Sequence, residues 1–365
     1  MPPETLTTRE LNRALLARQL LLERTTISPL GAVNQLAGLQ AQIARPPFVA
    51  LWSRLKNFSR DDLYTLITSK QVVRATWLRA TIHLVSTSDF LTFRQTLQPV
   101  LSKALGSIAR KELDGVDFAE IVAGARDLLG DNHLPFAEIR PLLQERFPDT
   151  NHRMLGYLVR THLPLVMVPS EDRWAWHAKA GFAVADRWLD AEIYPAEHLP
   201  ELVKRYLAAF GPATPGDMQT WSGLQGLKPI FEQLDDELVT FKDERKRALY
   251  DLPDAPRPPA ETKVPVRYLA NFDNAILGHQ DRTRIVADEH RKGLVSKNLM
   301  VPATFLVDGF VAGTWKTDVK RKVATLTLTP FGKLTKTTQK QLEREGKKLL
   351  RWVEPEAKDY VVDFS

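Results

Sequence analysis

Cysteine is missing altogether from the 365-residue chain. That absence excludes disulfides, cysteine-ligated zinc, iron–sulfur clusters and thiol nucleophiles together, and it suits a reducing cytoplasm. No apolar run approaches the roughly 20 residues needed to span a bilayer, so no membrane partner is expected. The opening Met1-Pro2-Pro3-Glu4 is acidic and lacks the basic-then-apolar pattern of a secretory signal. His279, Asp281 and His290 do not have the spacing of a recognised metal set, and neither metal nor cofactor is expected.

What is present is an ordinary soluble composition, 44% hydrophobic and 26% charged, in a chain long enough for several domains. The net charge of +6 is unevenly placed. Residues 295–351 hold 12 Lys+Arg against 4 Asp+Glu, a surplus of 8, while the rest of the chain has 38 against 40. A local basic field of this kind points to a polyanion, most simply nucleic acid; a lysine-rich solubilising surface is the alternative.

The hydrophobic periodicity predicts helices over 5–25, 28–43 and 47–56, and a fourth opened by Ser59-Arg60-Asp61-Asp62 and running to Ser69. Residues 72–85 then alternate and are rich in β-branched side chains, which reads as a hairpin. Helices followed by a hairpin are the outline of a winged helix. The order recurs with helices over 117–130, 135–147 and 151–162 and a hairpin from Leu165–Pro169 with Arg173–Trp176. It recurs again with helices over 200–210, 215–222 and 225–235 and strands Leu238–Lys242 and Arg247–Asp251. A proline-rich linker, 254–260, leads to a mostly β region: Val264–Asn271, Met300–Val307, Phe310–Trp315, Val323–Thr329 and Tyr360–Phe364, with one charged helix over 336–350. Asp308-Gly309 is a hairpin turn signal. The predicted organisation is α+β, with units over 1–105, 106–197 and 198–260 and a β-rich domain over 261–365.

Within this frame, Leu39-Gln40-Ala41-Gln42-Ile43-Ala44-Arg45-Pro46-Pro47 holds two glutamines at the expected end of a helix, ahead of a proline pair that should stop it. Alone, that is a solvated helix end. Taken with Arg79-Ala80-Thr81-Ile82-His83-Leu84, Gly211-Pro212-Ala213-Thr214, Trp221-Ser222-Gly223-Leu224, Asn271-Phe272-Asp273-Asn274, Leu277-Gly278-His279 and Gly313-Thr314-Trp315, the chain resembles, over nearly its full length, the bacterial winged-helix DNA glycosylases. That family is typified by the azinomycin-resistance enzyme that unhooks DNA interstrand crosslinks. The resemblance implies a C-shaped protein of three tandem winged helices and a C-terminal β-barrel-like domain, clasping double-stranded DNA. It places the family's glutamine-any-glutamine catalytic motif on Gln40 and Gln42. A related branch carries aspartate in the second place; Gln42 sets this chain nearer the crosslink-unhooking branch.

The chemistry is consistent with that placement. Hydrolysis of an N-glycosidic bond passes through an oxocarbenium-like sugar, as in O-glycoside hydrolysis. Two amides can orient a water and place dipoles, but they help less than a carboxylate does. Weak help is sufficient where the leaving group already carries positive charge, as a guanine alkylated at N7 does. Paired glutamines therefore imply a monofunctional glycosylase for cationic N7-alkylpurines, bulky adducts and crosslinks included, acting in base-excision repair or self-resistance with no obligate protein partner.

Other residues are candidates for DNA contact. Thr81 and His83 alternate with apolar neighbours on the first wing and face one side. Arg45, Arg74 and Arg79 lie near them. Arg153 and Arg160, with Asn151 and His152, lie on or beside the expected recognition helix of the second unit. Lys316, Lys320, Arg321 and Lys322 read as a basic hairpin tip, with a solvated turn as the alternative. His279 either reaches DNA or is a solvated loop histidine. Asp273, Asp281 and Arg282 read as an ion pair holding a loop, with catalysis as the alternative; Trp77 is expected in the core. Two other readings of the whole chain stay open: a non-enzymatic winged-helix regulator and an inactive scaffold.

Overall fold

The computed structural model describes residues 3–109, 115–294 and 300–365. The strand β1 (Thr5–Leu6) precedes α1 (Thr8–Arg18). Thr7 and Glu10 cap α1 reciprocally, each side chain accepting from the other's amide. The helix stops well short of residue 25 because Leu20 takes a φ of 56°. Next come α2 (Pro29–Gln35), β2 (Leu39–Gln40), α3 (Pro46–Arg54), α4 (Arg60–Thr68), β3 (Val72–Thr76) and β4 (Ile82–Ser86). The helices α5 (Thr87–Phe93) and α6 (Gln98–Ala109) lead to α7 (Phe118–Leu129), α8 (Phe136–Arg146) and α9 (His152–His162), then β5 (Leu165–Met167), β6 (Phe182–Val184) and α10 (Ala185–Leu189). A third group holds α11 (Leu199–Phe210), α12 (Pro215–Ser222), α13 (Lys228–Gln233), β7 (Val239–Asp243) and β8 (Ala248–Asp251). The chain ends with β9 (Arg267–Leu269), α14 (Asn274–Leu277), β10 (Thr304–Val307), β11 (Phe310–Lys320), β12 (Val323–Pro330), α15 (Lys336–Val353) and β13 (Asp359–Phe364).

Several expectations change. Residues 28–43 are not one helix: the chain leaves α2 at Leu36, and Ala37 and Gly38 then take φ values of 53° and 85°. A Cβ at Gly38 would lie 3.2 Å from the Leu84 carbonyl oxygen, so the turn favours glycine for both conformation and space. Pro46 and Pro47 do not stop a helix; they open α3, where a missing N–H has no intrahelical acceptor to lose. The partner of β5 is not Arg173–Trp176 but β6, through Leu165↔Val184 and Met167↔Phe182. Trp174 packs instead against Phe48 and Trp352, at ring distances of 5.2 and 6.2 Å.

The first two hairpins merge into one five-stranded sheet of order β2-β4-β3-β5-β6, joined at Ala75↔Val166. The β7–β8 hairpin instead takes β1 as a parallel third strand. The C-terminal sheet runs β13-β12-β11-β10-β9, with β13 parallel to β12. Its edges, β13 and β9, do not pair, so this α+β chain has an open C-terminal sheet rather than a closed barrel. Leu342, Leu349, Leu350 and Val353 bury one face of α15 in the same apolar cluster as the sheet residues Leu326 and Leu328. Trp77 is 2% exposed, in the core as expected. Among the described residues no helix is long and apolar enough to cross a membrane.

One buried ion pair ties the N-terminal helices to the start of α14, just after β9. Arg54 of α3 bonds both Asp273 carboxylate oxygens, at 2.9 and 2.8 Å, and also donates to the carbonyls of Gln19 and Ala50. Beside it, Asn274 donates to the Gly38 carbonyl at 2.5 Å, at the turn that feeds β2. Removing one member of such a pair leaves the other charge buried and unpaired. Asp273→Ala should therefore lower unfolding stability by about 3–5 kcal/mol, read from urea midpoints; a loss below about 1 kcal/mol would show that Arg54 finds compensation elsewhere.

Candidate active site

Gln40 lies on a strand, opposite His83 in the β2–β4 ladder. One residue on, the Ala41 amide donates to the Ile82 carbonyl at 2.8 Å. Gln42 completes the edge with its side chain: its Oε1 accepts from the Ile82 amide at 2.9 Å. Gln40 is 7% exposed, and its Oε1 accepts from Arg79 Nη2 at 2.8 Å. Both donors can only donate, so each carboxamide oxygen is identified by its partner. Each Nε2 has no protein acceptor among the described residues. Gln42 is exposed, and so is Ile43 at 44%.

The loop carrying the glutamines is held from behind. Arg74 donates to the carbonyls of Ala41 and Gln42 at 2.9 and 3.3 Å, and its guanidinium lies 5.1 Å from the Trp176 ring. Arg79 also donates to the Trp221 carbonyl, which brings α12 to the site. Arg79 and Ala80 both take a φ of 55° in the β3–β4 loop, a strained conformation for two consecutive non-glycine residues. His83 sits beneath them, 0% exposed. Its Nδ1 faces the Thr81 carbonyl at 3.1 Å. That oxygen can only accept, so Nδ1 holds the proton and Nε2 turns a lone pair to Arg79, 3.4 Å away. Burial, then the Arg79 charge, pushes the His83 pKa down to about 3. This imidazole stays neutral at any physiological pH.

No carboxylate contacts either amide among the described residues. Asp273 is committed to Arg54, and Asp281 bonds Arg245 and Arg247, at 3.0 and 2.6 Å, rather than Arg282. No group of three His, Cys, Asp or Glu among the described residues could hold a metal.

Of the residues singled out for DNA contact, Arg74, His83 and His279 are buried and hydrogen-bonded inside the protein, so their side chains do not offer the direct contacts expected. His279 bonds the Phe210 carbonyl at 2.9 Å and is packed beside Tyr206. Arg79 is half-buried behind Gln40, and the half-buried Thr81 hydroxyl is turned to the Leu78 carbonyl. Arg45 bonds Thr317 at 3.0 Å and lines, with Ile43, Trp315 and Lys316, a cleft of about 290 Å³. On the other side of Ile43 a cleft of about 610 Å³ is lined by Gln42, Arg74, Phe136, Arg140, Arg160 and Phe182, among others. Lys320, Arg321 and Lys322 are exposed at the β11–β12 turn, and Lys320 pairs with Asp318 at 2.9 Å. Arg321 and Lys322 have φ values of 49° and 65°, forming the two-residue turn. Arg153 is exposed on α9, and the His152 side chain lies outside the described residues. A groove of about 840 Å³, lined by Arg173, Lys322, Trp352 and Glu354 among others, does not include the glutamines. Sequence reasoning missed Arg140, Trp176 and Asn274; the i, i+4 spacing of Phe136 and Arg140 on a predicted helix was the available signal for the first.

The model of a family described as DNA glycosylase AlkZ-like matches residues 33–352. The interstrand DNA cross-link repair glycosylase of Streptomyces sahachiroi is 25% identical over 358 residues, covering 92% of this chain and 93% of that protein. The solved structure of the Streptomyces sahachiroi DNA glycosylase AlkZ shares the fold, with a TM-score of 0.79 at 21% identity over 99% of this chain and 100% of that one.

The two buried histidines make stability depend on pH. His83 and His279 are both pushed well below the ordinary 6.5, to about 3, by burial first and then by Arg79 and Arg284 respectively. The unfolded chain takes up these protons as pH falls through 6.5 and the folded chain does not, so acidification favours unfolding. Between pH 7 and 5.5 stability should fall, with a slope approaching about 1.4 kcal/mol per pH unit for each histidine. Urea midpoints should show it, and His83→Gln should remove that residue's share; an unchanged slope would mean that His83 protonates freely in the folded state.

Proposed function

The chain belongs to the DNA glycosylase AlkZ-like family, and from that premise we propose that it hydrolyses the N-glycosidic bond of cationic N7-alkylpurines in double-stranded DNA. Bulky adducts and interstrand crosslinks fall within that class, and the Streptomyces sahachiroi relative is named as an interstrand DNA cross-link repair glycosylase. The observation that carries the reading is the pairing of two neutral amides, at Gln40 and Gln42, with no carboxylate in contact among the described residues and with the His83 imidazole beside them held neutral by burial and Arg79. Such a site has little power to protonate a leaving group or deprotonate a water. It suits a base whose departure needs neither.

In this reaction the C1′–N9 bond breaks and its electron pair neutralises the purinium. Water then adds to the oxocarbenium carbon and loses a proton to solvent, giving an abasic site and the free alkylpurine. The remaining lone pair of Gln42 Oε1 orients that water, and the Nε2 hydrogens of both amides engage the sugar–phosphate of the damaged strand. Around them, residues 1–105, 106–197 and 198–260 act as three winged-helix units and residues 261–365 as the fourth part of a C-shaped clasp. Arg45, Arg153, Arg160, Lys316, Lys320, Arg321 and Lys322 supply phosphate contacts.

Replacing both glutamines, Gln40→Ala with Gln42→Ala, should slow single-turnover release of N7-methylguanine by about 10²–10³-fold. Affinity for the same duplex should change little, because the cations are untouched. Release at the wild-type rate would make the glutamines structural; loss of binding together with release would assign them to DNA docking.

A further inference from the structure

The cleft beside Gln42 holds more positive charge than its surroundings compensate. Arg140 comes from α8, Arg160 from α9 and Arg74 from β3, and all three line it. None of the three has a carboxylate within ion-pair distance among the described residues. Burial lowers the pKa of Arg74, to about 10, with the charge of Arg160 adding to the effect; burial likewise lowers that of Arg160, with a contribution from Arg140. The guanidiniums are therefore close enough to repel one another and are partly out of water. Arg160 lies 5.5 and 5.6 Å from the Phe136 and Phe182 rings and Arg74 5.1 Å from the Trp176 ring, which softens the desolvation cost of these two without neutralising their charge.

The backbone makes room for this cluster. A Cβ at Gly156 of α9 would meet Arg140 Cδ at 2.9 Å and Cγ at 3.0 Å. A helix-interior glycine costs about 1 kcal/mol relative to alanine, and here it lets the Arg140 stem lie against α9. Arg140, Gly156 and Arg160 also line an adjoining cleft of about 250 Å³. Like-charged guanidiniums gathered in a partly desolvated cleft fit an anion with oxygens to share, and the planar fork of arginine matches the two non-bridging oxygens of a phosphodiester.

Resting on the glycosylase reading, we propose that this cleft seats a single backbone phosphodiester of the damaged strand, gripped by Arg140 and Arg160 with Arg74 behind. Gln42 and the three arginines line this one cleft of about 610 Å³, so the phosphate lies within about three nucleotides of the base at Gln42, at about 3.4 Å per nucleotide along a strand. The glutamines then lie at the β2–β4 end of the sheet, and Arg140 and Arg160 lie on α8 and α9, the helices that precede its β5–β6 half, the two halves being joined at Ala75↔Val166. DNA held at both places has its sugar fixed relative to the amides.

The test measures binding of the intact protein to a duplex carrying N7-methylguanine on a 2′-fluorinated sugar, which blocks release, between 50 and 200 mM salt. Arg140→Gln and Arg160→Gln should each weaken binding about tenfold and reduce the salt slope by about 0.9. Gly156→Ala should weaken it less, by displacing Arg140 while keeping its charge. A scan of single methylphosphonates along the damaged strand, on the wild-type protein, needs no substitution to fold. One position within three nucleotides of the lesion should reproduce the tenfold loss, and there Arg160→Gln should add nothing further. Losses that multiply at every position, or an unchanged salt slope, would overturn the proposal. Failure of the glycosylase reading would appear separately, as no abasic product from the unfluorinated duplex, because this binding cycle does not depend on base release.

Discussion

Arg79 is the constraint on which the site depends. Its guanidinium reaches the Gln40 amide oxygen, the Trp221 carbonyl and the lone pair of His83, so it touches β2, α12 and β4 at once. The backbone there is left-handed at two consecutive residues, a conformation kept only where surrounding contacts over-determine it. The result is electrostatic as well as mechanical. A fixed cation behind Gln40 decides which end of the amide faces outward, and the same cation adds to the burial that keeps His83 unprotonated. A positively charged imidazole or a carboxylic acid at this spot would offer general acid catalysis; the Arg79 arrangement does not provide one.

The second constraint is the way the glutamine strand is anchored. It has two residues and pairs with one neighbour, too little to hold a register by its own ladder. Its position is set from outside: Asn274 holds the carbonyl of Gly38, and Arg74 holds those of Ala41 and Gln42. The residue next to Asn274, Asp273, is bound to Arg54 of α3, the helix that follows the glutamine loop. The glutamines are thus held between an N-terminal sheet and a C-terminal loop more than 200 positions away in the chain, as the 236-residue separation of Gly38 and Asn274 shows.

That separation explains what was legible in the sequence. The helices over 118–129, 136–146, 152–162 and 199–210 match the predicted spans within a residue or two, because each has an apolar stripe and two of them a side-chain cap, Asp117 and Asn151. The β7–β8 hairpin and the Asp308-Gly309 turn were legible for the same local reason. Residues 28–43 misled because Leu36 and Leu39 continue the helical spacing across a turn that Ala37 and Gly38 impose, and because a double proline opens a helix as readily as it ends one. The identity of the glutamines as a pair was visible; what holds them was not. Arg74, Arg79 and His83 looked like DNA contacts because arginine and histidine beside a proposed site usually are. Their burial is a tertiary property, set by carbonyl acceptors that no local pattern marks.

The arrangement separates two jobs that the same charges could not do together. Cations attract the phosphate backbone without regard to sequence, as damage recognition requires. A cation directed at the reacting sugar would oppose the oxocarbenium charge that must develop there. In this fold the cations nearest the glutamines are turned into the protein: Arg74 onto backbone carbonyls and Arg79 onto the amide oxygen and the Trp221 carbonyl. The neutral amide of Gln40 covers Arg79, while Arg74, in the cleft wall, has Nε and Nη2 committed to the Ala41 and Gln42 carbonyls. Selectivity follows from the weakness of the amides. In the proposed reaction, with no acid among the described residues placed to protonate a departing base and no strong base to activate water, the barrier for an undamaged purine is left nearly intact, and only a base that already carries its positive charge leaves.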